Sequence, residues 1–177
     1  MGYLQSDFKN IEKKVRQELR SRMQKKMDAA AEKTLSHANG YRDYDDVTGN
    51  LYKSTAIGTY YNGTVESIHY APGPDPTRRT LAKGEAYNLD KYYGSSFSFR
   101  DSGRKPFVGE YGHGGESAER AANDALFENE HGRGRYHATW QMLLVAGVDY
   151  AQYVEKKRGH DVITTLQAYM ARYFKKM

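Results

Sequence analysis

Cysteine is absent from all 177 residues. That excludes a disulfide framework, a thiolate metal site and a cysteine nucleophile. Tryptophan occurs once and proline only four times. No apolar run approaches the roughly 18–20 residues needed to span a membrane. The opening MGYLQSDF lacks the apolar core of a secretory signal. No membrane contact is therefore expected, and the chain fits a reducing cytosol or a particle assembled in one. Met1-Gly2 with Ser6 matches a short myristoylation pattern, but a plain free N-terminus is the expectation. Aliphatic residues are few, so 16 tyrosines carry much of the apolar work. The length suits one domain with a real core.

The net charge of +5 is unevenly spread. Residues 1–38 hold 9 basic and 5 acidic groups, and residues 150–177 hold 6 and 2. Residues 71–136 hold 10 of each. Both chain ends are therefore basic around a neutral middle. Basic helices face nucleic acid, an acidic partner or simply solvent.

Phe8, Ile11, Val15, Leu19, Met23 and Met27 recur at spacings of 3, 4, 4, 4 and 4. This predicts one long helix over residues 5–37 with a single narrow apolar stripe. Ser6 or Asp7 caps its start and Asn39-Gly40 ends it. At 1.5 Å per residue it spans about 50 Å. Part of it should project or pack on a neighbouring copy. Asp43, Asp45 and Asp46 follow in a loop; they lack the Gly and distal Glu of a calcium loop and read as polar loop residues.

Thr48-Gly49-Asn50-Leu51-Tyr52-Lys53-Ser54 reads as a short helical turn. A hairpin follows: strand Thr55–Tyr61, a type I′ Asn62-Gly63 turn, strand Thr64–Tyr70. The two-residue register sets Tyr60 opposite Val65 and Ile57 opposite Ile68. Asn62-Gly63-Thr64 is also a glycosylation sequon, for which turn chemistry is explanation enough. Tyr136 to Val148 returns to strand. Trp140, Met142, Leu144, Ala146 and Val148 line one face, and Leu143 and Val145 the other, which predicts the centre of a sheet. A closing helix runs from Asp161, its cap, to Lys175, with Val162, Ile163, Leu166, Tyr169, Met170 and Tyr173 inward.

Residues 71–136 hold all four prolines and 10 of the 17 glycines. Only Ser117–Phe127 looks helical. So long an irregular stretch predicts a large insertion that orders against a partner. Its Arg78, Arg79, Tyr92, Tyr93, Phe97 and Phe99, with the later turn Lys156, Lys157 and Arg158, are the expected partner contacts. Arg133 and Arg135 join these basic groups in a possible phosphate surface. His113, Glu116, His131 and His137 are the residues a small hydrolase or nuclease would use. They lack the paired spacing of H-E-x-x-H, and Gly112-His113-Gly114-Gly115 has no following Lys-Ser/Thr of a phosphate loop. His160 reads as part of the turn before the last helix. No catalytic constellation, cofactor or metal site is expected.

Thr48, Gly49, Leu51 and Ser54 match T-G-x-L-x-x-S, and Gly147, Tyr150, Ala151, Tyr153, Val154 and Glu155 match G-x-x-Y-A-x-Y-V-E. This ordered pair resembles the two signatures of the tail-completion and head–tail joining ("neck") proteins of tailed bacteriophages. The layout is similar too: long helix, first motif, hairpin, second motif, final helix. After Glu155 the family often continues Phe-Gly-Thr, where this chain has Lys156-Lys157-Arg158. The resemblance implies a non-enzymatic virion protein, assembled in the host cytoplasm. It implies a ring of subunits at the neck, in contact with connector and tail proteins and close to DNA in the channel. It also implies a small antiparallel sheet packed on two helices.

The residues alone give the same class: α+β, with a hairpin and a central strand packed on a long N-terminal and a C-terminal helix. The core comprises 1–70 and 137–177, with 71–136 as an arm. A basic DNA-binding accessory protein is the alternative reading.

Overall fold

In a computed structural model of the chain, the described residues are 2–41, 49–73, 86–87, 107–108, 116–128, 139–148, 151, 155 and 162–175. Helix α1 covers Gly2–Tyr41 and α2 Asn50–Lys53. Strands β1 (Thr55–Tyr61) and β2 (Thr64–Tyr70) form the hairpin. Two-residue strands β3 (Ala86–Tyr87) and β4 (Phe107–Val108) pair with each other. Helix α3 (Glu116–Glu128), strand β5 (Trp140–Ala146) and helix α4 (Thr164–Phe174) complete the order. The fold is α+β, a three-stranded antiparallel sheet on long N-terminal and C-terminal helices. Helix α1 begins before Ser6 and Asp7, so neither caps it.

The strand order is β2-β1-β5. The centre belongs to β1, and β5 lies at the edge among the described residues, which corrects the expected central strand. Burial explains the difference. Every residue from Thr55 to Tyr60 is buried, whereas β5 is half-buried throughout. Two apolar faces do not make β5 central, because α1 and α4 cover one side of the sheet and α3 the other. On the first side Ile57, Met142 and Leu144 meet Ala31, Leu35 and Met170. On the second, Ala56, Tyr60, Leu143 and Val145 meet Ala122 and Leu126. Helix α3 comes from the 71–136 stretch. That stretch is therefore not wholly an arm, since it supplies one wall of the core. Gly58 admits this wall: a Cβ there would lie 2.9 Å from Leu126 Cδ2.

The hairpin turn is as expected, with positive φ at Asn62 (55°) and Gly63 (83°), the combination a type I′ turn requires. Tyr60 faces Val65. Thr59, however, faces Ser67, leaving Glu66 as an extra residue, and Ile57 faces His69 instead of Ile68. The bulge has a packing consequence. It puts Val65 on the same face as Ile68 and Tyr70, against the α3 cluster. It also turns Glu66, Ser67 and His69 toward α1.

The stripe on α1 does not pack as one face. Met27 is buried, but Phe8, Ile11, Val15 and Leu19 are 73%, 58%, 52% and 61% exposed. A helix turns about 100° per residue, so each step of four advances the stripe about 40°. Val15, twelve residues before Met27, thus points about 120° away from the core. The buried face is instead Met27, Ala30, Ala31, Thr34 and Leu35. The first half of α1 overhangs the sheet.

Candidate functional site

The two signature segments meet in one buried unit. Gly49 is buried with φ 75°, a left-handed conformation that glycine adopts without strain. Its carbonyl accepts the Lys53 N–H at 2.9 Å, which sets up α2. Leu51 packs with Val148, Ala151 and Val162. Ser54 Oγ and Thr55 Oγ1 both donate to the Leu51 carbonyl, at 3.0 and 3.1 Å, and close the turn. The Gly147 N–H donates to the Ser54 carbonyl at 3.0 Å, a backbone bond between the motifs. Gly147 also lies against α3, where a Cβ would come within 2.5 Å of the Ala121 carbonyl. Glu155 closes the unit: its Oε1 accepts the Thr164 N–H at 3.0 Å and the Thr164 hydroxyl, which caps α4. The helix has no side-chain cap from Ile163. The expected cap Asp161 lies outside the described residues. This unit is apolar contact plus satisfied backbone groups. Its described residues hold α2, β1, β5, α3 and α4 together.

A polar network joins α1 to the sheet. Asp28 Oδ1 accepts from Gln24 Nε2 (2.8 Å) and Ser67 Oγ (2.6 Å), and lies 3.0 Å from His69 Nε2. Gln24 Nε2 also reaches Thr59 Oγ1 and Ser67 Oγ at 3.1 and 3.0 Å. Burial pushes the Asp28 carboxyl up. Hydrogen bonds from Ser67, His69 and Gln24, with the His69 charge, outweigh that and hold it below its ordinary value. Serine, histidine and aspartate here are not a nucleophilic triad. Ser67 and Asp28 both face the same ring nitrogen, Nε2, and Ser67 donates to Asp28 directly. No group of three His, Asp or Glu side chains that could hold a metal occurs among the described residues.

The overhang of α1 carries the second surface feature. Lys9, Lys13, Arg16 and Arg20 point within about 40° of the Met27 direction, continuing the core-facing side past the sheet. With Glu12, Gln17 and Tyr61 they line a shallow groove of about 340 Å³. The Arg20 guanidinium lies 4.5 Å from the Tyr61 ring centroid and pairs with Glu66. Tyr61 in turn meets Trp140, with centroids 4.8 Å apart. The bulge at Glu66 and the Tyr61–Trp140 register pair together place this stack at the hairpin tip.

Of the expected site residues, Gly49, Leu51, Ser54, Ala151 and Glu155 come together in the buried unit. Thr48, Tyr150, Tyr153 and Val154 lie outside the described residues. So do the expected partner contacts Arg78, Arg79, Tyr92, Tyr93, Phe97, Phe99, Lys156, Lys157 and Arg158. Asp43, Asp45, Asp46, His113, His131, His137 and His160 are also outside, and Glu116 is described only as the first residue of α3. The Gln24–Asp28–Ser67–His69 network was not anticipated. Its sequence signal is polar residues four apart on the helix and two apart on the strand.

No protein-family model matches the chain, and no curated protein or solved structure matches it significantly. No helix among the described residues is long and apolar enough to cross a membrane.

Proposed function

We propose that the chain is a structural subunit of a tailed-phage neck, forming a ring that joins the head connector to the tail or completes the tail. One observation carries this reading. The ordered pair of segments resembling the neck-protein signatures converges on a single buried unit, through Leu51–Ala151 packing and the Gly147–Ser54 hydrogen bond. Their residues serve as framework: a left-handed glycine, a closed turn, a glycine under a helix and a helix cap. A structural role asks for such a frame. The overhanging helix adds an unfilled apolar flank, which suits a protein that assembles. The connector and tail proteins are its proposed neighbours, with no enzymatic activity and the virion as its location. Disrupting the gene in the phage that encodes it tests the reading. Separated heads and tails that join when purified protein is added support it. Intact infectious particles without the protein sink it.

The basic groove on α1 favours a second reading, DNA contact through Lys9, Lys13, Arg16 and Arg20 beside Tyr61. Phosphate contacts release counterions, so binding would fall steeply with salt. A gel shift across a salt series separates the two readings.

A further inference from the structure

We propose that the overhanging half of α1 docks on the outer face of α3 in a second copy of this chain. The overhang has two adjacent surfaces. Its flank carries Phe8, Ile11, Val15 and Leu19, all more than half exposed. Its underside carries Lys9 and Lys13, continuing to Arg16 and Arg20. Three of its cations already have acidic partners: Arg16 with Glu12, Arg22 with Glu18 and Arg20 with Glu66. Residues 8–23 still hold six basic groups against two acidic ones. An occupant must therefore offer apolar surface and negative charge together. Duplex DNA offers the charge and leaves the apolar flank wet.

Among the described residues outside α1, two large apolar side chains are exposed, Phe127 on α3 and Phe174 on α4. Helix α4 has no acidic residue, and Lys175 follows Phe174 directly, so nothing on α4 complements the cations of the overhang. Phe127 is flanked by exposed Asp124 and Glu128 on one side of its helix face, about 60° and 100° round the axis, and by half-buried Glu119 two turns back on the other, with exposed Arg120 between them. Arg120 is the one cation of α3, against four acidic residues in its sequence. Charge and apolar surface thus match on α3 and fail to match on α4. The lengths agree as well. Residues 8–23 span about 24 Å and the 13 residues of α3 about 20 Å.

The contact cannot close within one chain. Helix α1 packs on the sheet face bearing Ile57, and α3 on the face bearing Tyr60. Two different patches on opposite faces make a heterologous contact, which leaves a free patch at each end and propagates into a ring or a filament. The inference deepens the ring reading by naming the surfaces that meet.

Charge reversal on each side tests it, with intact chains and sedimentation or light scattering as the readout. One variant is Lys9→Glu with Lys13→Glu; the other is Asp124→Lys with Glu128→Lys. All four positions are exposed, and thermal melts establish that both variants fold. The wild type should assemble as its concentration rises, and each variant alone should need at least about tenfold more protein, or stay monomeric. Their equimolar mixture should recover assembly, because each reversed patch meets its complement on the other variant and the two native patches meet as before. A third variant, Val15→Glu, should weaken assembly without touching the groove cations. The contact is overturned if the reversed variants assemble like the wild type, or if the mixture stays monomeric. It is also overturned if the wild type never assembles and α1 instead binds duplex DNA or anionic vesicles in a salt-dependent way. Assembly that ignores the reversals leaves the ring reading standing. Rescue in the mixture, with the protein missing from virions, leaves the contact standing and removes the neck.

Discussion

Gly147 lies directly beneath the backbone of Ala121, so close that a Cβ would come within 2.5 Å of the Ala121 carbonyl carbon and oxygen. The obstacle is helix backbone, which cannot swing aside as a flexible side chain can. Gly147→Ala must therefore lift α3 away from β5 and open the cluster of Ala122, Leu126 and Tyr60. Overpacking of this kind costs about 1–3 kcal/mol, and the upper end applies here. Urea unfolding should show a lower midpoint with little change in slope. An unchanged midpoint would mean that α3 does not bear on this glycine.

Glu155 holds the start of α4 from nine residues upstream, through the Thr164 N–H and hydroxyl. Removing a helix cap costs about 1 kcal/mol. Glu155→Ala should fray the first turn of α4, with amide exchange rising at Thr164 and Thr165 and little change in β1. Glu155→Gln keeps an acceptor oxygen but loses the charge that the helix dipole favours, and should fall between the two. Equal exchange in all three proteins would remove the cap from the account.

Asp28 links stability to pH. Its carboxyl is held below the ordinary value, because the Ser67, His69 and Gln24 hydrogen bonds and the His69 charge outweigh burial, which acts to raise it. The sign follows from linkage: a group whose folded pKa is depressed adds stability above its unfolded pKa, about 3.9 for aspartate, and loses it as pH falls through the folded value. The charged and titratable groups facing it are His69 and, beyond that ring, Glu32. Asp28→Asn should be less stable than the wild type at neutral pH. The gap should narrow as pH drops below about 4, where the wild type loses the protonation-linked part. Denaturation midpoints from pH 7 to pH 3 measure this, and parallel curves would contradict it.

Legibility in the sequence followed the locality of each signal. The hairpin was readable because Asn62-Gly63 demands positive φ at two adjacent residues, which almost nothing else satisfies. Its far register was not, because the bulge at Glu66 answers to packing on both sheet faces. Val65 must join Ile68 and Tyr70 under α3 while Ser67 and His69 reach Asp28. The position of β5 at the edge was also hidden. Leu143 and Val145 give it a second apolar face whether a strand or a helix covers that face, and α3 is the cover.

The overhang of α1 shows how a correct helix can carry a misread face. Spacings of four residues read as one stripe along the sequence, yet they wind about 40° per step around the axis. Met27 reaches the core and Phe8, Ile11, Val15 and Leu19 turn away from it. Of the site, the two motif segments were legible as strings, and Leu51 and Ala151 do meet. That Gly147 and Glu155 act on α3 and on α4 follows only from three-dimensional placement.

The account stands or falls on whether this chain is a component of the phage particle. Quantitative mass spectrometry of density-purified virions, with portal and major tail peptides as internal standards, measures that directly. The reading predicts its peptides in every preparation, at a fixed copy number per portal ring that salt washing does not reduce. Absence from purified particles, while the protein is abundant in the infected-cell lysate, would contradict it.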